Sequence, residues 1–248
     1  MNQFKLAKTL SALLLTFCAA NSAQAVPLSD LIGGQSLTAA DKVFDQWVVT
    51  FHDASDPGFN FDYSQIDVTA LNDGGNDPGP GINIDFGNQM GVTGDGIYAY
   101  KDLTIAFHVA ALGDNLIEDN TLTFGSPTST LSTTNSPFVD TGAAVEEWVT
   151  DASGAQLAHE YIEFSALDGQ VTNNSPDHAT FDPQTGIFVK KNFIVWATDP
   201  AETATLGGVE QRFSQTTVTV PESSTLALFG LGLMGFAFNV KRRKNLHG

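Results

Sequence analysis

The chain has 248 residues, 11 Lys and Arg against 28 Asp and Glu, and a formal net charge of −17 at pH 7. A polyanion of this kind excludes nucleic-acid binding and docking on anionic headgroups, because both need clustered cations to neutralise phosphate. The single cysteine, Cys18, excludes a disulfide framework.

The N-terminus carries Lys5 and Lys8, then an apolar stretch from Thr9 to Ala20 centred on Leu13-Leu14-Leu15, then Ala23-Gln24-Ala25. Residues 1–25 therefore read as a secretory signal peptide handled by the Sec export machinery, with Ala23 and Ala25 at the two small-residue cleavage positions. Phe17 is too bulky for the residue that a lipoprotein signal places before its cysteine, so Cys18 leaves with the leader. Residues 26–219 hold 27 acids against five bases, a formal charge of −22. A chain of this length buries about 70% of its unfolded surface, enough for one domain to fold without disulfides. Acids on such a surface attract cations, and they also simply keep an exported protein soluble.

Along this stretch only Leu28 to Trp47 suits a short helix, with Thr38 as a cap before Ala39-Ala40-Asp41. The period is otherwise two. Trp47, Val49 and Phe51 alternate with polar or small neighbours, followed by Phe59, Phe61 and Tyr63, by Ile82, Ile84 and Phe86, and by Leu103, Ile105, Phe107 and Val109. Further on come Leu122 and Phe124; Val145, Glu147 and Val149; Ile162 and Phe164; Ile187, Val189, Lys191, Phe193 and Val195; and a short run from Phe213 to Val220. These segments read as strands. Between them, 53–58, 72–81, 91–96, 125–137, 151–154 and 173–186 are rich in Gly, Pro, Asn, Asp, Ser or Thr and read as turns and loops. About ten short strands without amphipathic helices predict an all-β, antiparallel β-sandwich of jelly-roll or immunoglobulin-like architecture.

The loop Asn72-Asp73-Gly74-Gly75-Asn76-Asp77-Pro78-Gly79-Pro80-Gly81 places four oxygen-bearing side chains close together. Hard cations such as Ca²⁺ prefer that donor type, and Asp73 and Asp77 are the candidate ligands. The spacing is not that of an EF-hand, since Gly75 and Ile84 stand where ligands would be required, and an Asx-rich turn accounts for the same residues.

The chain closes with Val220-Pro221-Glu222-Ser223, an uncharged stretch from Ser223 to Val240, and Lys241-Arg242-Arg243-Lys244. As a helix, residues 223–240 would reach about 27 Å, nearly the thickness of a hydrocarbon core. The cationic cluster 241–244 stays on the cytoplasmic side, which puts everything before Pro221 outside. This order of tetrad, span and basic cluster over 220–248 closely resembles the PEP-CTERM sorting signal of Gram-negative surface proteins. The resemblance implies an exosortase as processing partner, a precursor anchored in the inner membrane, and delivery to the cell surface or extracellular matrix. The family tetrad usually ends in proline, where this chain has Ser223; an ordinary single-span anchor that is never processed shares the same pattern. The blocks 66–75, 94–100, 188–192 and 210–215 also resemble a family of exosortase-dependent surface proteins, a resemblance that implies location and no activity.

Enzymatic patterns fail one by one. His159-Glu160 begins a zinc-protease motif, but Glu163 stands where the second histidine is needed. Glu146, Glu147, Glu160 and Glu163 offer carboxylates, yet strand alternation sends Glu147 to the face of Val145 and Val149 and Glu146 to that of Trp148. No Gly-x-Ser-x-Gly elbow exists, and the five histidines are scattered. The reading is therefore a non-enzymatic surface or matrix protein acting in adhesion, flocculation or exopolysaccharide structure, with a carbohydrate-binding module or sugar-active enzyme as the alternative. Exposed aromatics discriminate: Trp148, Trp196, Tyr98 and Tyr100 on one face favour sugar stacking, and inward placement makes them core.

Overall fold

The computed structural model describes residues 25–133 and 140–217. In chain order the strands begin with β1 (Ala25–Pro27), helix α1 (Leu28–Ile32), β2 (Leu37–Ala39), β3 (Lys42–Ala54) and a 3₁₀ turn at Tyr63–Gln65. They continue through β4 (Asp67–Leu71), β5 (Gly81–Asp85), β6 (Gly91–Thr93), β7 (Ala99–Ala111), β8 (Asn115–Phe124) and β9 (Thr130–Ser132). Then follow β10 (Asp140–Thr150), β11 (Gln156–Leu167), β12 (Gln170–Asn173), β13 (Asp177–Gln184), β14 (Gly186–Ala197), β15 (Thr203–Thr205), β16 (Gly208–Arg212) and β17 (Gln215–Thr217).

The first large sheet runs β1-β4-β5-β16-β8-β13 with β17 also on β8, and the second runs β12-β11-β10-β14-β7-β3-β2; a small third sheet joins β6, β15 and β9. All pairings are antiparallel. The cause is the period-two pattern: inward residues of β5 (Ile82, Ile84) and β8 (Ile117, Leu122) face those of β7 (Leu103, Ile105, Phe107, Val109) and β14 (Ile187, Val189, Phe193, Val195), all buried. Phe86 meets Phe193 edge-on at 4.8 Å and Phe44 meets Phe213 at 5.8 Å, so aromatic pairs knit the two sheets. Each such side chain stabilises the sandwich by about 1.5–3 kcal/mol through burial. The all-β, antiparallel sandwich matches the sequence expectation.

Several local expectations differ. The helix lies at Leu28–Ile32, not after Thr38, which instead sits in β2 paired with Val43. Its burial of Leu28 and Leu31 explains the position: two leucines three apart close one end of the core. Phe59, Phe61 and Tyr63 do not form a strand. Their rings pack on one another, Phe59 on Phe61 at 4.9 Å and Phe61 on Tyr63 at 6.3 Å, and Lys101 lies 3.7 Å over Phe59, so local ring packing produced the alternation. Phe51 is 50% exposed because β3 shifts register twice and Gln46 adopts a φ of 56°. Each bulge resets which neighbours face inward.

Three stretches read as loop contain strands. β13 falls within 173–186, β9 within 125–137 and β6 within 91–96; β13 is an edge strand with no fully buried side chain, so it carries no apolar alternation, and β6 and β9 are three-residue edges of the third sheet. Of the last run, from Phe213 to Val220, the described part holds β17 with buried Phe213 just before it; β16 precedes the run and was not anticipated, and 218–220 lie outside the described residues. Ala25 is the first described residue; Ala23, the sorting tetrad, the span 223–240 and the basic cluster 241–244 lie outside the described residues. Among those described, no helix is long and apolar enough to cross a membrane.

Candidate functional site

The outer face of the second sheet gathers side chains in rows fixed by strand register. One row reads His159, Trp148, Lys190, Ala106 and Val48 across β11, β10, β14, β7 and β3. The next reads Tyr161, Glu146, Asn192 and Thr104, and further along Trp196 lies between Gly142 and Tyr100. Alternation causes this arrangement: the odd-numbered residues of β10 and β14 from Val145 and Ile187 onward face inward, and the even-numbered ones face out.

At one end Trp148 packs against the His159 ring at 5.5 Å, and Lys190 Nζ stands 5.4 Å over the indole. The His159 Nε2 lies 2.8 Å from Glu146 Oε1, which holds the imidazole in place beside the indole. Phe188 sits 4.8 Å from His108, whose Nδ1 is 2.9 Å from Asp45. Between Trp148, Phe188, Lys190 and Val48 the surface dips into a hollow of about 380 Å³. At the other end Trp196, Tyr98, Tyr161, Glu146 and Asn192 border a hollow of about 150 Å³. Trp196 donates from Nε1 to Asp140 at 2.6 Å and lies over Gly142, where a Cβ would sit 2.5 Å from the ring. That glycine lets the indole lie against the sheet rather than stand away from it.

The phenols of this face remain neutral. Burial, helped by the hydrogen bond that the Tyr161 hydroxyl donates to the Glu163 carboxylate at 2.9 Å, raises Tyr161. Burial and the nearby Asp140 and Asp102 raise Tyr98, and the hydrogen bond to Asp53 raises Tyr100. Asn192 donates to Asp102 at 2.5 Å and to Thr104 at 2.9 Å, forming a polar centre between the two aromatic ends. The four aromatics singled out in the sequence therefore behave as follows: Trp148, Trp196 and Tyr100 share this face, and Tyr98 joins it through contact with Tyr100 at 5.7 Å. Sequence reasoning missed Tyr161 and Phe188, both 38% exposed. The alternation of β11 and β14 was the available signal.

The inner face of the same sheet holds a second cluster. Glu147 pairs in register with Lys191 on one side and Glu160 on the other, and all three are buried. Lys191 Nζ contacts Glu147 Oε2; Glu147 Oε1 accepts from Gln211 Nε2 at 2.6 Å and from Asn120 Nδ2, two residues of the facing sheet. Burial drives the Lys191 amine well below the ordinary lysine range. Burial first, then the Asp177 and Asp119 charges, raise Glu160 to about 9, and neither of its oxygens has a hydrogen-bond partner among the described residues. Of the four glutamates weighed from sequence, Glu146 and Glu163 thus face out, and Glu147 and Glu160 face in.

In the Asx-rich loop, Asp73 pairs with Arg212 at 2.9 Å and Asp77 accepts from Ser214 Oγ at 3.3 Å. Asn72 Oδ1 accepts the Ala40 amide at 2.8 Å, and the Asn76 carbonyl accepts the Gln215 amide at 3.0 Å. The loop is pinned to 212–215 by its own acceptors, and Asp73 and Asp77 point to different partners. Among the described residues no group of three or more acids, histidines or cysteines is gathered for a metal ion.

Residues 219–243 match the family model of the PEP-CTERM protein-sorting motif. The chain thus carries the sorting signal of an exported protein, delivered as a membrane-anchored precursor for exosortase-dependent processing. No curated protein matches the chain. Among solved structures it is similar to a carbohydrate-binding module that recognises mannan, at 9% identity and a TM-score of 0.29 over 78% of this chain and 94% of that one. It is also similar to a xylan-binding domain from Paenibacillus barcinonensis, at 10% identity and a TM-score of 0.20 over 74% and 97%.

Proposed function

We propose that this protein is an exported, non-enzymatic component of the cell surface or extracellular matrix of a Gram-negative bacterium, and that its sandwich lays one sheet face against a neutral exopolysaccharide. The observation that supports the reading is the outer face of the second sheet, where two aromatic hollows flank a polar centre. Trp148 and Trp196 stand six positions apart in β14 register and one strand over, about 20 Å at roughly 3.3 Å per residue. That span suits a run of several sugars: indole faces take the apolar sides of the rings, and Asn192, Glu146 and Tyr161 meet hydroxyls between them. A formal charge of −22 over 26–219 disfavours anionic polymers and leaves neutral ones. Consecutive long strands that pass from sheet to sheet, as β7, β8 and β10 do, favour jelly-roll over immunoglobulin-like wiring.

The face is a binding surface rather than a site of hydrolysis. Glycoside cleavage needs a carboxyl held protonated beside the polymer; Glu160, raised to about 9, is 1% exposed inside the sandwich, and Asp102, which burial also raises, lies on the outer face with Asn192 donating to it. Affinity electrophoresis through gels containing a neutral β-linked glucan, mannan or xylan is the test. Retardation in at least one gel is expected, with Trp148→Ala and Trp196→Ala each weakening binding about tenfold, the loss of one stacking contact of about 1.4 kcal/mol. Equal mobility in all gels, or retardation unchanged in both variants, overturns the reading.

A further inference from the structure

The interior cluster has an arrangement that an ordinary buried ion pair does not need. One carboxylate, Glu147, is shared between an amine and a primary amide: Oε2 meets Lys191 Nζ, and Oε1 meets Asn120 Nδ2. The amine and the amide belong to opposite sheets, Lys191 to β14 and Asn120 to β8, and these two strands approach each other directly across the core. Both side chains are fully buried, at 0% exposure. Complete burial pulls the Lys191 amine toward its neutral form, the adjacent Glu147 carboxylate can take the proton, and a neutral amine is a nucleophile. Among the described residues, Asn120 Oδ1 and both Glu160 oxygens have no hydrogen-bond partner, so polar capacity stands unused at the same place.

We propose that Lys191 and Asn120 join in an intramolecular isopeptide bond across the sandwich, with Glu147 as the proton carrier. The neutral Nζ attacks Cγ of Asn120 and forms a C–N bond. Glu147 takes a proton from the attacking nitrogen and passes it to Nδ2, and the Cγ–Nδ2 bond breaks with loss of ammonia. Glu147 ends as it began, and no oxidant, reductant or further reactant is consumed. Charge that builds on Oδ1 during attack needs a proton donor, and Glu160, next to Glu147 in the ladder on the same inner face, is the carboxyl held in its protonated form. Burial excludes the water that would otherwise compete for the acyl carbon. Gln211 also places an amide on Glu147 Oε1, from β16 of the same facing sheet, and the peptide map separates it from Asn120. The product staples the two sheets in an exported chain that has no cysteine after residue 18. It rests on the interior of the sandwich and is independent of what the outer face binds.

The test is the mass of the full chain as recovered after folding, measured against the mass calculated from its own termini, together with peptide mapping. The expected result is a deficit of one ammonia and a branched peptide joining the segments that contain Asn120 and Lys191. Asn120→Ala and Glu147→Gln are expected to fold, by circular dichroism, and to abolish both the deficit and the branched peptide. An unmodified wild-type mass overturns the proposal whether or not the variants fold. A deficit of one water places the link on Glu147 and overturns the assignment to Asn120, as does a branch through Gln211. A branched peptide that survives Glu147→Gln overturns the role of Glu147.

Discussion

Glu160 is a buried carboxyl group with no hydrogen-bond partner among the described residues, facing Asp177 and Asp119 as like charges and standing beside Glu147, with Lys191 beyond Glu147 on β14. Its folded value of about 9 lies above the ordinary 4.5, so between these values the folded state holds a proton that the unfolded chain has released. Stability is therefore undiminished below pH 4.5 and falls as pH rises toward 9, by about 1.4 kcal/mol for each pH unit in that window. Glu160→Gln keeps the shape and removes the titration. Melting curves from pH 5 to 9 are expected to show a falling midpoint in the wild type and a flatter profile in the variant, with the variant more stable at pH 8. A wild-type midpoint independent of pH would remove Glu160 as the source. The neighbouring Lys191 sits at the same inward phase of β14 as Val189 and Phe193, which shows that one residue at the wrong polarity does not break a strand if a facing carboxylate receives it.

At the scale of the element, β10 carries both clusters on its two faces, and its outward glycine decides how the aromatic face is built. A methyl at Gly142 would lie 2.5 Å from Trp196 and 2.7 Å from the Ser165 Cβ. Gly142→Ala is expected to lift the indole from the sheet, to break its 2.6 Å bond to Asp140 and to destabilise the fold by about 1–3 kcal/mol. Intrinsic tryptophan fluorescence should shift to the red, and polysaccharide retardation should fall as it does for Trp196→Ala; unchanged binding would show that the seating of Trp196 is immaterial. Much of this was legible beforehand. The strands at Ile82, Leu103, Val145 and Ile187 announce themselves because each buries one face, and the same alternation sends Trp148 and Trp196 outward. The rest depends on pairings between distant strands. Neither period nor propensity reveals that Glu147 meets Lys191 and Asn120, since register between β10, β14 and β8 is set by tertiary packing. The polar edge strand β13 was illegible for the opposite reason, since an edge lacks the apolar pattern by which strands are read; β3 was read as a strand at Trp47, Val49 and Phe51, but its bulges hid which of these face inward.

For the whole molecule, the ends of the chain matter as much as the sandwich between them. Cleavage after Ala25 would leave Val26 and Pro27 in β1, paired with Val68 and Asp67, so the new N-terminus would be tied into the first sheet. The C-terminal strand β17 pairs with β8 of the same sheet, and the sorting motif begins two residues after it, at 219. Every strand pairing among the described residues therefore lies ahead of the signal. Four cations at 241–244 oppose translocation, while the acidic 26–219 has few cations to hold it inside, so export delivers the sandwich outward and holds the tail at the membrane. Processing then decides between a released and an anchored molecule. The tetrad has Ser223 at its last position, but proline at its second, where a helix can begin without an amide donor. The mature protein, recovered separately from membranes and medium and sequenced at both ends, is expected to start at Val26 and to end between Pro221 and Ser223. Recovery from membranes alone, with Lys241 to Lys244 still attached, would show instead that serine at this position blocks the exosortase and that the sheet face works while tethered.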